Sequence, residues 1–573
     1  MNKKEKTIDQ LLGALSPEEK AGQLLVFGLN GTIVDPDTEM LVDRCNIGGL
    51  RTSPYIRKFI RYLPDGAPGI QNVLRPPSFT EKHWDEHVEP PHLRASEYAG
   101  LLNRLRARAL KRKHAIPLHF TIDYEGGGGS NFLCPGMLTL PSPMGFGHTG
   151  NPEWVRRSSY AIGRQLKAIG FDYVQSPVVD VNTNPDNPEI STRAYSADPT
   201  VVTRCARASL LGFKEAGMIA TIKHFPGRGP SGQDAHFGIT ALNVDLKEFY
   251  RDHLAPYIAL CKEQVVPGIM LAHSIYPLLD PSHEIATVSK RIVTGLLREE
   301  LGFDGIITTD SMTMGGLMAK YSVGEAVIKA IDAGVDILLL KDDNSLRFEA
   351  YTEVVKAIKS GRLSEERVNQ SLRRIWSAKW DYGLFKNGGI VKTDGLDEFM
   401  FRPEFQKVGD EVARRAIQLI RDRARLLPLR KDQKILVVDQ HASNQLHTND
   451  IWNHPGMIWE FLREHTSNVS YIDYTPKLID KVNKDLEAIA PLADVLVVTA
   501  SYDRNVHADP KKFIVGLKRF GKPVILISNN PYPLIVPEEI DTVICSYSLL
   551  RSGERAVSRY LFHPSARGRS KGG

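Results

Sequence analysis

The 573-residue chain is poor in cysteine and has no long uninterrupted apolar stretch. Its five cysteines are odd in number, lie far apart and lack the spacing of zinc ligands, so we expect neither a disulfide framework nor a structural metal site. Scattered cysteines of this kind are typical of a reducing compartment. Because no segment reads as a signal peptide or a membrane span, we predict a cytoplasmic protein with no membrane partner.

A strong excess of charge of either sign is also absent. The chain has 73 basic and 67 acidic residues, which leaves a net charge of +6. Clustered bases lie on one predicted helix and in the C-terminal tail: Arg104, Arg106, Arg108, Lys111, Arg112, Lys113, Arg567, Arg569 and Lys571. No aromatic residues alternate with them, as they would in a nucleic-acid groove, and a run of charge is most often a solvated helix face. We expect no nucleic-acid partner, and the oligomeric state stays open.

Short apolar runs recur along the first part of the chain, separated by segments long enough for a helix. The runs are 24–28, 47–50, 118–123, 173–180, 218–222, 268–273, 305–310 and 336–340. Continuous rather than alternating apolar character favours parallel strands that are covered on both faces. Eight strand–helix units in roughly 330 residues predict a closed (β/α)8 (TIM) barrel, with its chemistry at the carboxyl ends of the strands.

A second group of apolar runs follows the break in helical pattern at 382–389. These runs are 435–439, 469–472, 495–499, 523–527 and 542–545. Helical segments between them predict a smaller α/β domain with an open sheet. The predicted organisation is a barrel over 1–388, a linker with a connecting helix over 389–425, and a second domain over 426–573. The amphipathic segment 404–420 is the predicted connecting helix.

One loop carries the most informative residues of the chain. The segment 223–229 reads Lys-His-Phe-Pro-Gly-Arg-Gly, and Asp234-Ala235-His236 follows it closely. The preceding apolar run is a buried strand in this interpretation, and the glycines and prolines after it force a loop. An Asp two residues from a His can bond one ring nitrogen and increase the basicity of the other, which suits a general acid/base. Such pairs also occur by chance in many loops.

These segments resemble glycoside hydrolase family 3, and its β-N-acetylglucosaminidase branch in particular. The motifs that carry the resemblance are 223–229 with Asp234 and His236, 302–312, 122–127, 177–185, Arg193 before 198–199, and 272–277. They extend in order over residues from about 15 to 385. The resemblance implies a TIM barrel followed by an α/β sandwich domain. It also implies a retaining exo-glycosidase that removes terminal non-reducing β-N-acetylglucosamine-type residues.

The resemblance further implies the residues of the active site. Asp310, at the end of the seventh apolar run, matches the nucleophile that a retaining glycosidase requires. His236 matches the acid/base and Asp234 its partner. The positions that bind the hydroxyl groups of the sugar are matched by Asp123, Arg193, Lys223 and His224. From local sequence alone, Asp310 could instead cap a helix, the Asp-x-His pair could lie on the surface, and His224 could be a satisfied core histidine.

Several positions depart from the pattern of the branch. Arg228 replaces the usual histidine of the 223–229 loop, Ala235 replaces a serine, and Gly128 and Asn131 replace two arginines. We hypothesise that Arg228 lies over the mouth of the cleft and binds an anionic group, either on the substrate or as phosphate. The alternative is that Arg228 braces the glycine-rich loop or meets Asp234. The expected partner is an amino-sugar glycoside, with or without that anionic group.

Two alternative functions are consistent with the same residues. A glycoside phosphorylase would use phosphate in place of water, since a histidine donor does not repel it as a carboxylate would. A non-catalytic sugar-binding barrel is the other alternative, although retention of Asp310, Asp234 and His236 argues against it.

The proline-rich insertion 51–91 is predicted to form part of the cleft rim. Its neighbourhood holds His83, Trp84, His87 and His92, for which a solvent-exposed loop is favoured over a metal site. No cofactor or metal is expected.

Overall fold

The computed structural model describes most of the chain. The described residues are 2–53, 58–62, 68–72, 93–129, 134–236, 238–342, 344–440, 456–475, 479–501, 510–533 and 535–564. Their strands, in chain order, are β1 Leu25–Asn30, β2 Gly49–Ser53, β3 Lys58–Tyr62, β4 Pro68–Asn72, β5 His119–Ile122, β6 Tyr173–Val174, β7 Ile219–Phe225, β8 Thr240–Ala241, β9 Gly268–Leu271, β10 Ser274–Ile275, β11 Ile306–Ser311, β12 Ile337–Leu340, β13 Gln418–Asp422, β14 Ile435–Gln440, β15 Val469–Tyr474, β16 Val495–Ala500, β17 Val524–Ser528 and β18 Thr542–Cys545.

Within the described residues, eight strands of the first domain close into one parallel barrel. Each strand pairs with the next in the order β1, β2, β5, β6, β7, β9, β11 and β12, and β12 pairs again with β1. Every residue of β7 and of β12 is buried. Such burial is expected of strands that lie between a packed barrel interior and an outer layer of helices. The predicted (β/α)8 barrel is confirmed.

Several of the helices begin at a polar cap or a proline. They are α1 Lys3–Ala14, α2 Pro17–Gln23, α3 Pro36–Asp43, α4 Ala95–Leu110, α5 Pro143–Thr149, α6 Pro152–Ile169, α7 Pro199–Glu215, α8 Leu246–Glu248, α9 Ala255–Lys262, α10 Gly315–Met318, α11 Val323–Ala333, α12 Leu346–Lys359, α13 Glu365–Asp381, α14 Leu384–Asn387, α15 Leu396–Met400, α16 Pro403–Ala416, α17 Met457–Arg463, α18 Ile479–Ile489, α19 Lys511–Gly516 and α20 Arg551–Phe562, with π-helical segments at Phe249–His253 and Arg291–Glu300. Asn151 and Asp198 each accept a first-turn N–H just before a proline. Among these helices, none has the length and apolar character needed to cross a bilayer.

The second domain is a six-stranded sheet with an apolar cluster on each face. Its strand order is β13, β18, β17, β16, β14 and β15, and only the β13–β18 pair is antiparallel in the described residues. Along β14, Leu436 and Val438 belong to one cluster, whereas Ile435 and Val437 belong to the other. Helices cover both faces, so the predicted α/β sandwich is confirmed.

The segment between the two domains differs in detail from its prediction. The connecting helix α16 ends at Ala416, and Gln418 begins β13 within the predicted linker. Every residue of β13 is only partly buried. An edge strand of this kind lacks the continuous apolar run that marked the other strands, so its sequence merged with the amphipathic pattern of the helix before it.

The insertion after β2 contains an antiparallel hairpin of β3 and β4. The histidines and the tryptophan of this region, His83, Trp84, His87 and His92, lie outside the described residues, as does Asn131. The predictions of a cleft rim and of a solvent-exposed rather than metal-binding loop therefore stay predictions.

The second domain contacts loops at the carboxyl-end face of the barrel. Asn530 Nδ2, in the loop after β17, donates to Ser191 Oγ at 2.8 Å. Asn182 Nδ2, in the loop after β6, donates to Tyr532 Oη at 3.0 Å. Ser191 has a φ of 41°, a left-handed backbone conformation that is uncommon for a residue other than glycine. The contact with Asn530 therefore holds a strained turn of the barrel in place.

Candidate active site

The residues predicted to form the site lie at the carboxyl ends of barrel strands or in the loops that follow. Asp123 follows β5, Lys223 and His224 lie near the end of β7, and Asp310 lies near the end of β11. The loop after β6 contributes Arg193, and the loop after β7 contributes Arg228, Asp234 and His236. Parallel strands end on one face of a barrel, so these side chains converge there.

Asp123 lies between two cations. Lys223 Nζ donates to Asp123 Oδ1 at 2.8 Å, and Arg51 donates from Nε to Oδ2 at 3.0 Å and also from Nη2. Burial acts to raise the pKa of Asp123, but the charges of Arg51 and Lys223 outweigh it and hold that pKa well below its usual value. Asp123 is therefore an ionised acceptor with 14% of its side chain exposed.

A buried carboxylate, Glu125, ties Arg193 and Lys223 together. Arg193 donates from Nε to Oε2 at 2.7 Å and from Nη2 to Oε1 at 2.9 Å, a bidentate pair. Lys223 Nζ lies 2.6 Å from Glu125 Oε1. Glu125 is bound by two cations, which favours a structural over a catalytic role. Lys223 bridges the two carboxylates of Glu125 and Asp123.

His224 is a buried histidine held on one side by Asp180. Its Nδ1 lies 2.7 Å from Asp180 Oδ2, and its backbone N–H donates to the same oxygen at 3.2 Å. Burial raises the pKa of Asp180 to about 6, although N–H bonding and nearby cations act against it. The Nε2 atom of His224 lies 4.0 Å from Asp310 Oδ2. His224 is thus a satisfied core histidine on its Nδ1 side and part of the site on its Nε2 side.

Asp310 is an ionised carboxylate with 18% of its side chain exposed. Its Oδ1 accepts from the N–H of Ser311 at 2.8 Å, and its Oδ2 lies 3.8 Å from Arg228 Nη1. Burial acts to raise the pKa of Asp310, but its interactions with His273, His236, Arg228 and the N–H of Ser311 outweigh it and the pKa is lowered. The nearest following helix, α10, begins only at Gly315, so Asp310 does not cap a helix.

The Asp-x-His pair forms the contact that its spacing predicts. His236 Nδ1 lies 2.6 Å from Asp234 Oδ1, and the backbone N–H of His236 donates to the same oxygen at 2.8 Å. The His236 side chain is 32% exposed. Because Asp234 holds Nδ1, Nε2 is the nitrogen left for proton transfer.

The structure corrects the expected position of Arg228. Its side chain is 1% exposed and forms an ion pair from Nη2 to Glu189 Oε2, whereas we expected it at the mouth of the cleft. Its backbone N–H donates to Asp180 Oδ1 at 2.7 Å. Gly229 allows this inward position, because a Cβ there would lie 1.6 Å from the carbonyl oxygen of Val181. The alternative, that Arg228 braces its own loop, agrees with these contacts, but the partner is Glu189 rather than Asp234.

Three side chains of the site have the geometry to share a cation. Donor atoms of Glu189, Asp234 and His236 lie within 4.8 Å of one another. The guanidinium of Arg228 beside Glu189 opposes a second cation, and the Asp234–His236 bond already uses two of the donors. The arrangement therefore fits a hydrogen-bonded dyad better than a metal centre. A metal-free, cofactor-free site stays a prediction.

His273 has a structural place in this region. It is fully buried, its Nε2 lies 3.0 Å from the carbonyl oxygen of Ser311, and its Nδ1 lies 2.7 Å from Thr287 Oγ1. Burial lowers its pKa to about 4, so the ring is neutral near pH 7. Its bond to the residue after Asp310 fixes the end of β11.

Besides Glu125 and His273, three residues of the network were not among the predicted site residues. Arg51 and Asp180 each stand at the polar end of an apolar run, which is the signal that could have identified them. Glu189 lies in a loop rich in asparagine and proline, where no local pattern distinguishes it. Its partners Arg228 and His236 are distant in sequence and meet it only in the folded protein.

The fold and the site together define a class: a (β/α)8-barrel protein with a carboxylate and an Asp–His pair at the carboxyl-end face of the barrel. The chain belongs to glycosyl hydrolase family 3. The model of the family's N-terminal domain matches residues 93–378. A beta-hexosaminidase of Bordetella parapertussis (strain 12822) is 31% identical over 280 residues, which cover 48% of this chain and 78% of the relative. Beta-hexosaminidase A of Pseudoalteromonas piscicida is 30% identical over 360 residues, which cover 60% of this chain and 59% of that protein. The match thus spans about three fifths of that relative's length.

Solved structures show the same architecture. A glycoside hydrolase family 3 beta-N-acetylglucosaminidase from Paenibacillus sp. str. FPU-7 superposes with a TM-score of 0.80 at 24% sequence identity, over 96% of this chain and 97% of the other. At this level of identity the likeness supports the fold. Both the barrel and the second domain are therefore shared with that protein.

Proposed function

We propose that the protein is a retaining exo-glycosidase that hydrolyses terminal β-N-acetylglucosamine-type residues. The observation that carries the proposal is the meeting of an ionised, accessible Asp310 with the His236–Asp234 pair on one face of the barrel. The names of its family relatives, among them the beta-hexosaminidase of Bordetella parapertussis, supply the sugar class.

The proposed reaction has two displacements. In the first, an Asp310 oxygen bonds to the anomeric carbon while the glycosidic C–O bond breaks, and His236 Nε2 gives its proton to the leaving oxygen. In the second, His236 takes a proton from water, and the water oxygen displaces Asp310 from the anomeric carbon. The sugar leaves with its original anomeric configuration, and Asp310 returns to its carboxylate form.

Asp123 is the proposed acceptor for hydroxyl groups of the terminal sugar. It is ionised and exposed to the cleft, and a carboxylate accepts from two vicinal hydroxyls. Arg193 and Lys223 are bound mainly to carboxylates, so in this proposal they fix Glu125 and Asp123 and have few N–H groups left for the sugar.

Hydrolysis is favoured over phosphorolysis by the charges around the acid/base. Asp234 and Glu189 both lie beside His236 Nδ1, at 2.6 Å and 3.6 Å, and a negative environment opposes an incoming phosphate. Arg228, which we expected to attract an anion, is buried and paired. Reaction in phosphate buffer should therefore yield free sugar, and accumulation of sugar 1-phosphate would favour the phosphorylase.

The direct test is a set of aryl β-glycosides that differ only in the sugar. We expect turnover to be greatest with N-acetylglucosamine, and NMR of the first product to show the β-anomer. An α-anomer would contradict the double displacement. A folded protein that hydrolyses none of the glycosides but binds the free sugar would instead be a non-catalytic barrel.

A further inference from the structure

Glu189 is a buried carboxylate that the proposed reaction does not use. It is 2% exposed, and its Oε2 is paired with Arg228. Its Oε1 has no hydrogen-bond partner among the described residues. That oxygen lies 3.6 Å from His236 Nδ1 and 3.8 Å from Arg193 Nη1. A buried carboxylate oxygen without a hydrogen bond costs folding free energy, so a role for the Glu189 carboxylate is expected.

On the basis of the proposed function, we infer that Glu189 is a positioning residue for the acid/base, a second carboxylate that orients His236 and stabilises its protonated ring through Nδ1. Before it gives a proton to the leaving oxygen, His236 carries protons on both nitrogens. The Nδ1–H then faces two carboxylates, Asp234 in hydrogen-bond contact and Glu189 just beyond it. Glu189 thus acts on the reaction only through His236.

The loop that carries Glu189 is bonded to the loop that carries His236. Asn187 Nδ2 donates to the carbonyl oxygens of Arg228 and Gly229 at 2.9 Å and 3.0 Å. Its Oδ1 accepts the backbone N–H of Glu189 at 3.0 Å. One asparagine therefore fixes the distance between the two loops, and with it the place of Glu189 relative to His236.

Arg228 permits this concentration of negative charge. The carboxyl groups near His236 are Asp234, Glu189 and Asp310, and the facing cations are Arg228 and Arg193. Arg228 contacts Glu189 and approaches Asp310, so a single buried cation serves both the nucleophile and the second carboxylate. Loss of the Glu189 charge would leave the protonated ring of His236 with one close carboxylate.

The test is the pH dependence of kcat/KM for Glu189→Gln. On a glycoside with a poor leaving group, we expect the alkaline limb to move to lower pH by about one unit, the effect of a unit charge near 3.6 Å in a water-like dielectric. The acidic limb of the profile should not move to higher pH, because Arg228 stays beside Asp310. Glu263→Gln, which removes a surface partner of Arg207, is the matched control and should leave the profile unchanged.

A loss that is equal at every pH, with the alkaline limb unmoved, would overturn the inference and leave Glu189 as a brace for its loop. If Glu189→Gln does not fold, the double variant Glu189→Gln/Arg228→Met removes the buried pair together and still lacks the carboxylate near His236. The alkaline limb of the double variant should then lie at lower pH than that of Arg228→Met alone. Alkaline limbs at the same pH in the two variants would overturn the inference.

An NMR titration of the His236 ring keeps this test separate from that of the proposed function. The signal is assigned by its loss in His236→Asn. We expect the ring of Glu189→Gln to lose its proton at lower pH than that of the wild-type protein, and an unchanged titration would overturn the inference. This comparison needs no substrate, so a protein that hydrolyses no glycoside would refute the proposed function and leave the Glu189 result standing.

Discussion

Replacement of Arg228 by Gln measures how far one buried cation sets the working pH of the nucleophile. Arg228 Nη1 lies 3.8 Å from Asp310 Oδ2. Two unit charges at that distance attract by about 1 kcal/mol in water and about 4 kcal/mol at an effective dielectric constant of 20. Since 1.36 kcal/mol corresponds to one pKa unit, loss of the cation should move the acidic limb of the pH profile of kcat/KM to higher pH by about one to three units.

The sign follows from the state that Asp310 needs for attack. The pKa of Asp310 is lowered in the folded protein, so the carboxylate persists to low pH. Without Arg228, activity is lost earlier as the pH falls. The assay is kcat/KM from pH 3 to 9 on an activated aryl glycoside, with Arg228→Lys as the variant that keeps the charge. Glu189 also loses its partner, which costs about 3–5 kcal/mol of stability for a buried pair, so folding is checked by thermal unfolding.

The outcome also decides between two roles of Arg228. Because its side chain is 1% exposed, the effect should be equal on neutral and anionic substrates. If Arg228→Gln is active and its acidic limb lies at the same pH as that of the wild type, Arg228 does not lower the pKa of Asp310 as the charge calculation requires. A loss confined to anionic substrates would instead support the hypothesis that Arg228 binds an anionic group.

Three further predictions concern the dyad, the domain contact and a buried acid. His236→Ala should lose about 10²- to 10⁴-fold in rate on poor leaving groups and much less on activated aryl glycosides, with a milder loss of the same pattern for Asp234→Ala; equal losses on both substrate classes would count against proton transfer. Asn530→Ala removes the bond to Ser191 and should lower kcat/KM about three- to tenfold, the worth of one hydrogen bond; unchanged kinetics would show that the second domain does not support the site. Burial raises the pKa of Glu554 well above its usual value, so the folded state keeps a proton that the unfolded state releases, and stability falls as the pH rises above about 4.5. Glu554→Gln should therefore raise the midpoint of thermal unfolding at pH 8 relative to wild type and not at pH 4, and an equal change at both pH values would contradict this protonation.

The barrel was predictable because its strands are buried on both faces. Runs such as 336–340 are continuously apolar, and each of the eight runs predicted for the first domain overlaps a strand of the barrel. The edge strand β13 was not predictable in this way, because it is partly exposed and follows an amphipathic helix directly. Prediction from sequence therefore succeeded for the fully buried strands and missed β13, which follows an amphipathic helix directly. The other edge strand, β15, is also partly exposed, but its run 469–472 was recognised.

Site residues were predictable where they lie at strand ends or close to their partner in sequence. Asp123 and Asp310 follow apolar runs, and the Asp234–His236 contact spans two residues, so sequence alone indicated both. The Glu189–Arg228 pair joins two loops 39 residues apart, and its burial depends on loop packing that no local pattern encodes. The roles of the site residues, the cytoplasmic location and the oligomeric state stay open to experiment.

Trapping of the glycosyl-enzyme identifies the nucleophile. A slow fluorinated N-acetylglucosaminide is incubated with the enzyme, and the labelled peptide is mapped by mass spectrometry. We expect one sugar on Asp310 and none in Asp310→Asn. The kcat of that variant should fall by several orders of magnitude, on the order of 6 kcal/mol in barrier. A sugar attached to Glu125 or Glu189, or near-wild-type turnover by a folded Asp310→Asn variant, would contradict it.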